Sequence, residues 1–70
     1  STKGRGDCIV DTPDYVYIFE FKRDVCAADA LKQIEEQGYA KPYATDKRKM
    51  IKIGVNFSSS ERNIVEWECQ

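Results

Sequence analysis

Apolar and polar positions along this chain follow two rhythms, and the changes between them predict five elements in the order β-β-α-β-β. Residues 7–11 read as a short strand, and Thr12-Pro13-Asp14 supplies turn chemistry, with Pro presetting φ for a type I turn. Residues 15–22 are rich in β-branched and aromatic side chains and apolar on both faces for most of their length, as a central strand is. Over 25–37 the period lengthens. Ala27, Ala30, Leu31 and Ile34 recur at helical spacing, Asp24 is placed to cap the start and Gly38 to stop the end. Residues 50–57 return to alternation, with Ile51, Ile53, Val55 and Phe57 on one face and Lys52 and Asn56 on the other. After Ser58-Ser59-Ser60-Glu61, residues 63–69 form a last strand with Val65, Trp67 and Cys69 on one face. The expected fold class is α/β, a four-stranded mixed sheet with one main helix, and Tyr15, Tyr17 and Trp67 are expected to pack into its core.

Within this pattern Asp7, Glu20 and Lys22 carry the most chemical information. The strand period of two puts Glu20 and Lys22 on one face. A two- or four-residue turn around Pro13-Asp14 sets Asp7 directly opposite Glu20, whereas a three-residue turn sends Asp7 to the other face. Two carboxylates facing each other across a ladder repel unless a cation lies between them. Such a pair suits Mg²⁺ (or Mn²⁺), with Lys22 one pleat further on to hold or help deprotonate a water. The chemistry then available is attack on a phosphodiester, in which the ion both activates water and neutralises the developing charge. The same charges also fit a solvated strand end carrying a same-face Glu20–Lys22 ion pair.

Composition narrows the classes. The 70 residues hold 41% hydrophobic and 11% aromatic side chains with four Gly and two Pro, which excludes a disordered or collagenous chain. At this length the core is small, and a complete enzyme would be unusual. Net charge is -1, so polybasic nucleic-acid binding is not a whole-chain property. The charge is nevertheless segregated, because residues 41–52 carry five bases against Asp46 while residues 24–40 carry one Lys against four acids. Lys41, Lys47, Arg48, Lys49 and Lys52, with Tyr43, are therefore the candidates for contacting a nucleic-acid backbone, the alternative being a solvated loop before a strand. Cys8, Cys26 and Cys69 form no CxxC pair, and without any His a zinc site lacks a fourth ligand. Reduced, partly buried thiols are expected, and with no signal-like or membrane-length apolar run the expected location is cytoplasmic. Arg5-Gly6-Asp7 spells an adhesion tripeptide but has no extracellular context here.

Taken together, Gly4-Arg5-Gly6-Asp7, the strand ending Ile18-Phe19-Glu20-Phe21-Lys22, the helix with Gln33-Ile34-Glu35-Glu36-Gln37-Gly38-Tyr39-Ala40, and Ile51-Lys52-Ile53-Gly54-Val55-Asn56-Phe57-Ser58 resemble the PD-(D/E)XK nuclease superfamily. More narrowly they resemble the uncharacterised nuclease-like domain at the C-terminus of predicted bacterial AAA-ATPase-like proteins. The resemblance implies that Asp7, Glu20 and the backbone carbonyl of Phe21 bind Mg²⁺ and that Lys22 is the catalytic lysine. It also matches Gln33 to a helix glutamine that some members place beside the active site. The superfamily core is α-β-β-β-α-β, so residues 1–70 are expected as an incomplete restriction-endonuclease-like core, the C-terminal part of a larger protein. Two functions follow from it. One is Mg²⁺-dependent hydrolysis of DNA or RNA, weak or inactive in the fragment alone. The other is a non-catalytic nucleic-acid-binding or regulatory module working with an ATPase-like domain of the same parent chain. Open sheet edges make pairing between copies a further expectation.

Overall fold

The computed structural model describes residues 8–70. Strands β1 (Cys8–Asp11) and β2 (Tyr15–Arg23) lead into helix α1 (Ala27–Gln37), a short 3₁₀ turn (Lys41–Tyr43), and strands β3 (Lys49–Ser58) and β4 (Asn63–Cys69). They form one mixed sheet in the order β1-β2-β3-β4, antiparallel at both edges and parallel between β2 and β3. This is the expected α/β architecture. The parallel pair is what requires α1, since a chain can return to a parallel register only through a crossover.

The first hairpin has the register expected of an even turn: Cys8 pairs with Phe19, Ile9 with Ile18 and Asp11 with Val16. Thr12 closes it, its N–H donating to the Tyr15 carbonyl and its Oγ1 accepting from the Tyr15 N–H, each at 2.9 Å. Arg48 then fastens this turn to the approach to β3. Its guanidinium reaches Asp46 at 2.7 Å and Asp11 at 2.9 Å, and donates to the Thr12 carbonyl at 3.1 Å. Hydrogen bonds from the Arg48 side chain and backbone hold the Asp46 carboxyl down at about 2, well below the usual carboxylate range.

The helix differs from expectation at its start. Its N-cap is Cys26 in an extended conformation, and no side chain of that residue caps it. The open Ala27 N–H instead donates to Glu66 Oε1 of β4 at 2.8 Å. Asp24, the expected cap, sits at φ 57° and turns its carboxylate toward the β3–β4 loop. There it accepts from the Ser59 N–H at 3.0 Å and Oγ at 2.6 Å, contacts that lower the Asp24 pKa. The C-terminus is as expected: Gly38 adopts φ 68°, the left-handed conformation that releases its N–H to the last turn.

One face of the sheet carries the helix. Val16 and Ile18 of β2 are fully buried against Ile34 of α1 and Tyr39 beyond it, with Ile9, Leu31 and Met50 packed around them. Ala27 and Ala30 are also fully buried, and their small size brings the helix backbone close to β3. The other face carries Tyr15, Tyr17, Phe19 and Phe21 from β2, in stacked pairs with ring centroids 5.7 and 5.9 Å apart, beside Val55 and Trp67. It is open: Trp67 is 67% exposed and Phe21 43%. The expectation that Tyr15, Tyr17 and Trp67 form the core against the helix is thus corrected, because the helix occupies the opposite face. Cys8, Cys26 and Cys69 are free thiols and all exposed, not partly buried. Among the described residues no helix is long and apolar enough to cross a membrane.

Candidate active site

The helix-covered face changes character along β2. Val16 and Ile18 are followed on the same side by Glu20, which is only 5% exposed, and then by Lys22. A carboxylate at the end of a buried apolar row is stable only with charge or hydrogen-bond partners. Lys22 supplies one, its Nζ lying 3.6 Å from Glu20 Oε2, with the Lys22 side chain about one-third exposed. The pair therefore has one buried member and one member reaching solvent.

Two features of β3 frame this pair. Opposite Glu20 in the parallel register is Gly54, and a Cβ there would fall 2.3 Å from the Ala27 carbonyl oxygen and 2.7 Å from the Leu31 nitrogen. Only glycine lets the helix approach so closely. Opposite Lys22 is Asn56, whose Oδ1 is buried and has no hydrogen-bond partner among the described residues. Asn56 in turn pairs with Glu66 across the β3–β4 ladder, and the register shifts immediately after it. Lys22, Asn56 and Glu66 thus form one row across three strands, beside the first turn of α1.

Other predicted site residues fall variously. Asp7 lies outside the described residues. The Phe21 side chain points to the open face, so any part it plays on the Glu20 face falls to its backbone. Gln33 is half-buried on α1, one turn beyond Ala30. The basic residues do not gather at Glu20. Lys49 stands opposite Tyr15, at the far end of β2, roughly 17 Å along the strand from Glu20. Arg48 is engaged by Asp46 and Asp11, and Lys52 forms an ion pair with Glu35. Lys41, Lys47 and Lys49 remain exposed.

The family of the chain is decided by its match to the model of the PD-(D/E)XK nuclease superfamily over residues 1–67. The chain belongs to the PD-(D/E)XK nuclease superfamily. It is also 36% identical over 67 residues to an uncharacterized protein in the vnfD 5′ region of Azotobacter chroococcum mcd 1, covering 93% of this chain. The chain spans 13% of that relative's length. No solved structure matches it significantly. Membership in this superfamily gives the Glu20–Lys22 pair a chemical context that an isolated Glu-x-Lys lacks.

Enzymes of this superfamily typically use divalent metals, and the donors here suit a hard cation in kind. No three His, Cys, Asp or Glu side chains converge among the described residues. Mg²⁺ does not require that, since it binds through one or two carboxylates and keeps several waters. Glu20 offers carboxylate oxygen, and the buried Asn56 amide oxygen shows an acceptor with no internal donor on the same face. Sequence reasoning missed Asn56 and Glu66 as members of this region. The available signal was Asn56 two residues after Gly54, on the same side of β3 as the glycine that admits the helix.

Proposed function

We propose that this domain carries a Mg²⁺- or Mn²⁺-dependent site for hydrolysing phosphodiester bonds of DNA or RNA. The observation that carries the reading is the buried Glu20 carboxylate with the Lys22 ammonium 3.6 Å away, side by side on one face of β2. A buried carboxylate beside a solvent-reaching cation is the arrangement a metal-assisted hydrolase needs: an oxygen donor for the ion and a positive charge next to it that can orient water.

In this reading Glu20 holds the cation together with Asp7 and the Phe21 carbonyl. A bound divalent cation would acidify water and offset the negative charge that develops on the phosphate. Lys22 donates from Nζ to the oxygen of the attacking water and so orients it, while the proton that water loses passes to bulk solvent, which the partial exposure of Lys22 puts within reach. Gln33 on the neighbouring helix is a polar contact for the substrate. Lys41, Lys47 and Lys49 neutralise backbone phosphates of a longer nucleic acid crossing the other end of the sheet, where Arg48 and Lys52 act through their internal ion pairs to shape the surface.

The proposal extends to the parent protein. The chain spans 13% of the relative's length; an AAA-ATPase-like portion in the same parent chain and a cytoplasmic setting are proposed on the sequence resemblance alone. The test is nicking of supercoiled plasmid by the parent protein with Mg²⁺, with chelator, and with Lys22→Ala. Metal-dependent cleavage that Lys22→Ala abolishes is expected. Undiminished cleavage by Lys22→Ala would remove Lys22 from the mechanism, and absence of any cleavage on DNA and RNA would leave a non-catalytic module as the reading.

A further inference from the structure

We propose that Asn56 is a positioning residue of this site, providing the second seat for the Lys22 ammonium. The inference rests on the metal-dependent reading above and deepens it. Leaving a buried amide oxygen without a donor is costly, so a folded chain that retains one calls for an explanation. Here Asn56 Oδ1 is such an atom. Its neighbour in the parallel ladder, on the same face, is Lys22.

In the structure the Lys22 ammonium lies by Glu20. Were Glu20 to hold a divalent cation, its carboxylate would be shared with the ion and the Lys22 ammonium would turn to another acceptor nearby. Glu66 lies one strand further from Lys22, on β4, and its Oε1 already accepts from the Ala27 N–H. Asn56, one strand nearer and with its oxygen unused, is the acceptor in register. It is neutral, so it holds the ammonium without pulling it away from the reaction as strongly as a carboxylate would. The register shift immediately after Asn56 fits this role, since bulges commonly re-aim a side chain beside an active site.

The test is nuclear magnetic resonance of the full chain with labelled lysine and glutamate side chains, before and after Mg²⁺. In the wild type, Mg²⁺ is expected to move the Glu20 carboxyl signal and to leave the Lys22 ammonium protected from solvent exchange. In Asn56→Ala the Glu20 signal should move equally, while the Lys22 ammonium protons exchange at least about tenfold faster, as loss of a hydrogen bond to a charged group implies. Asn56→Asp, which keeps an oxygen there, should restore the protection. A purely structural Asn56 would change melting temperature without changing Lys22 exchange. If Glu20 responds to Mg²⁺ but Lys22 exchanges alike in wild type and Asn56→Ala, the assignment of Asn56 is overturned and the metal reading stands. If Glu20 does not respond to Mg²⁺ in any variant, the metal reading and this inference fall together.

Discussion

Gly54 lies so close under Ala27 that a Cβ on it would sit 2.3 Å from the Ala27 carbonyl oxygen. The atom in the way is backbone and cannot rotate aside. Gly54→Ala is therefore expected to destabilise the domain by about 1–3 kcal/mol or more, read as the midpoint of urea unfolding. Because Gly54 also faces Glu20, the same substitution should disturb the site even where the fold survives.

Lys22→Ala leaves the buried Glu20 without the ammonium beside it. Allowing for the exposure of Lys22, a stability loss of about 1 kcal/mol is expected, and plasmid cleavage should drop by at least about 100-fold. A double-mutant cycle with Glu20→Gln checks the cause: Lys22→Ala should cost less in the Glu20→Gln background.

The helix start depends on a distant strand. Glu66→Ala removes the acceptor of the Ala27 N–H and should cost about 0.5–2 kcal/mol, the usual worth of an N-terminal cap. Glu66→Gln, which keeps an oxygen, should recover most of it. Asp24→Ala should instead loosen the β3–β4 loop at Ser59 and leave the helix content in far-ultraviolet circular dichroism unchanged.

Acid should act through Asp46. Its carboxyl is held at about 2 in the folded protein against an ordinary 3.8, so its contribution to stability is complete above the ordinary value and disappears as pH falls toward 2. Thermal melts between pH 5 and pH 2 are expected to show a smaller acid-induced fall in Asp46→Asn than in wild type. Equal slopes would detach Asp46 from the acid response.

Much of this fold was legible in the residues. Alternation located the strands, Pro13 with an even turn implied the hairpin register that pairs Ile9 with Ile18, and Gly38 marked the helix end. What alternation could not reveal was which side of β2 the helix covers, because Tyr17 and Phe19 are as apolar as Val16 and Ile18. Gly54 was the overlooked signal, since a glycine inside a strand marks a close backbone approach. The helix cap was misplaced because Asp24 is a good cap by type, while the carboxylate that does the work arrives from Glu66, far along the chain. Glu20 and Lys22 could be picked out as a same-face pair, but Asn56 became visible only once β3 was laid parallel to β2.

The parallel pairing of β2 with β3 also governs the order in which the domain can assemble. Each register pair of this ladder, from Tyr15–Lys49 to Arg23–Phe57, joins residues separated by the whole of α1 and the 3₁₀ turn. No local hairpin can nucleate that ladder, so its closure carries a large loop-entropy cost and should set the folding rate. Once formed, the β2–β3 amides are flanked on both sides and should exchange with deuterium last, after those of β1 and β4. Glu20 and Asn56 lie on those two strands, so the proposed site sits in the slowest-forming and longest-lived part of the domain.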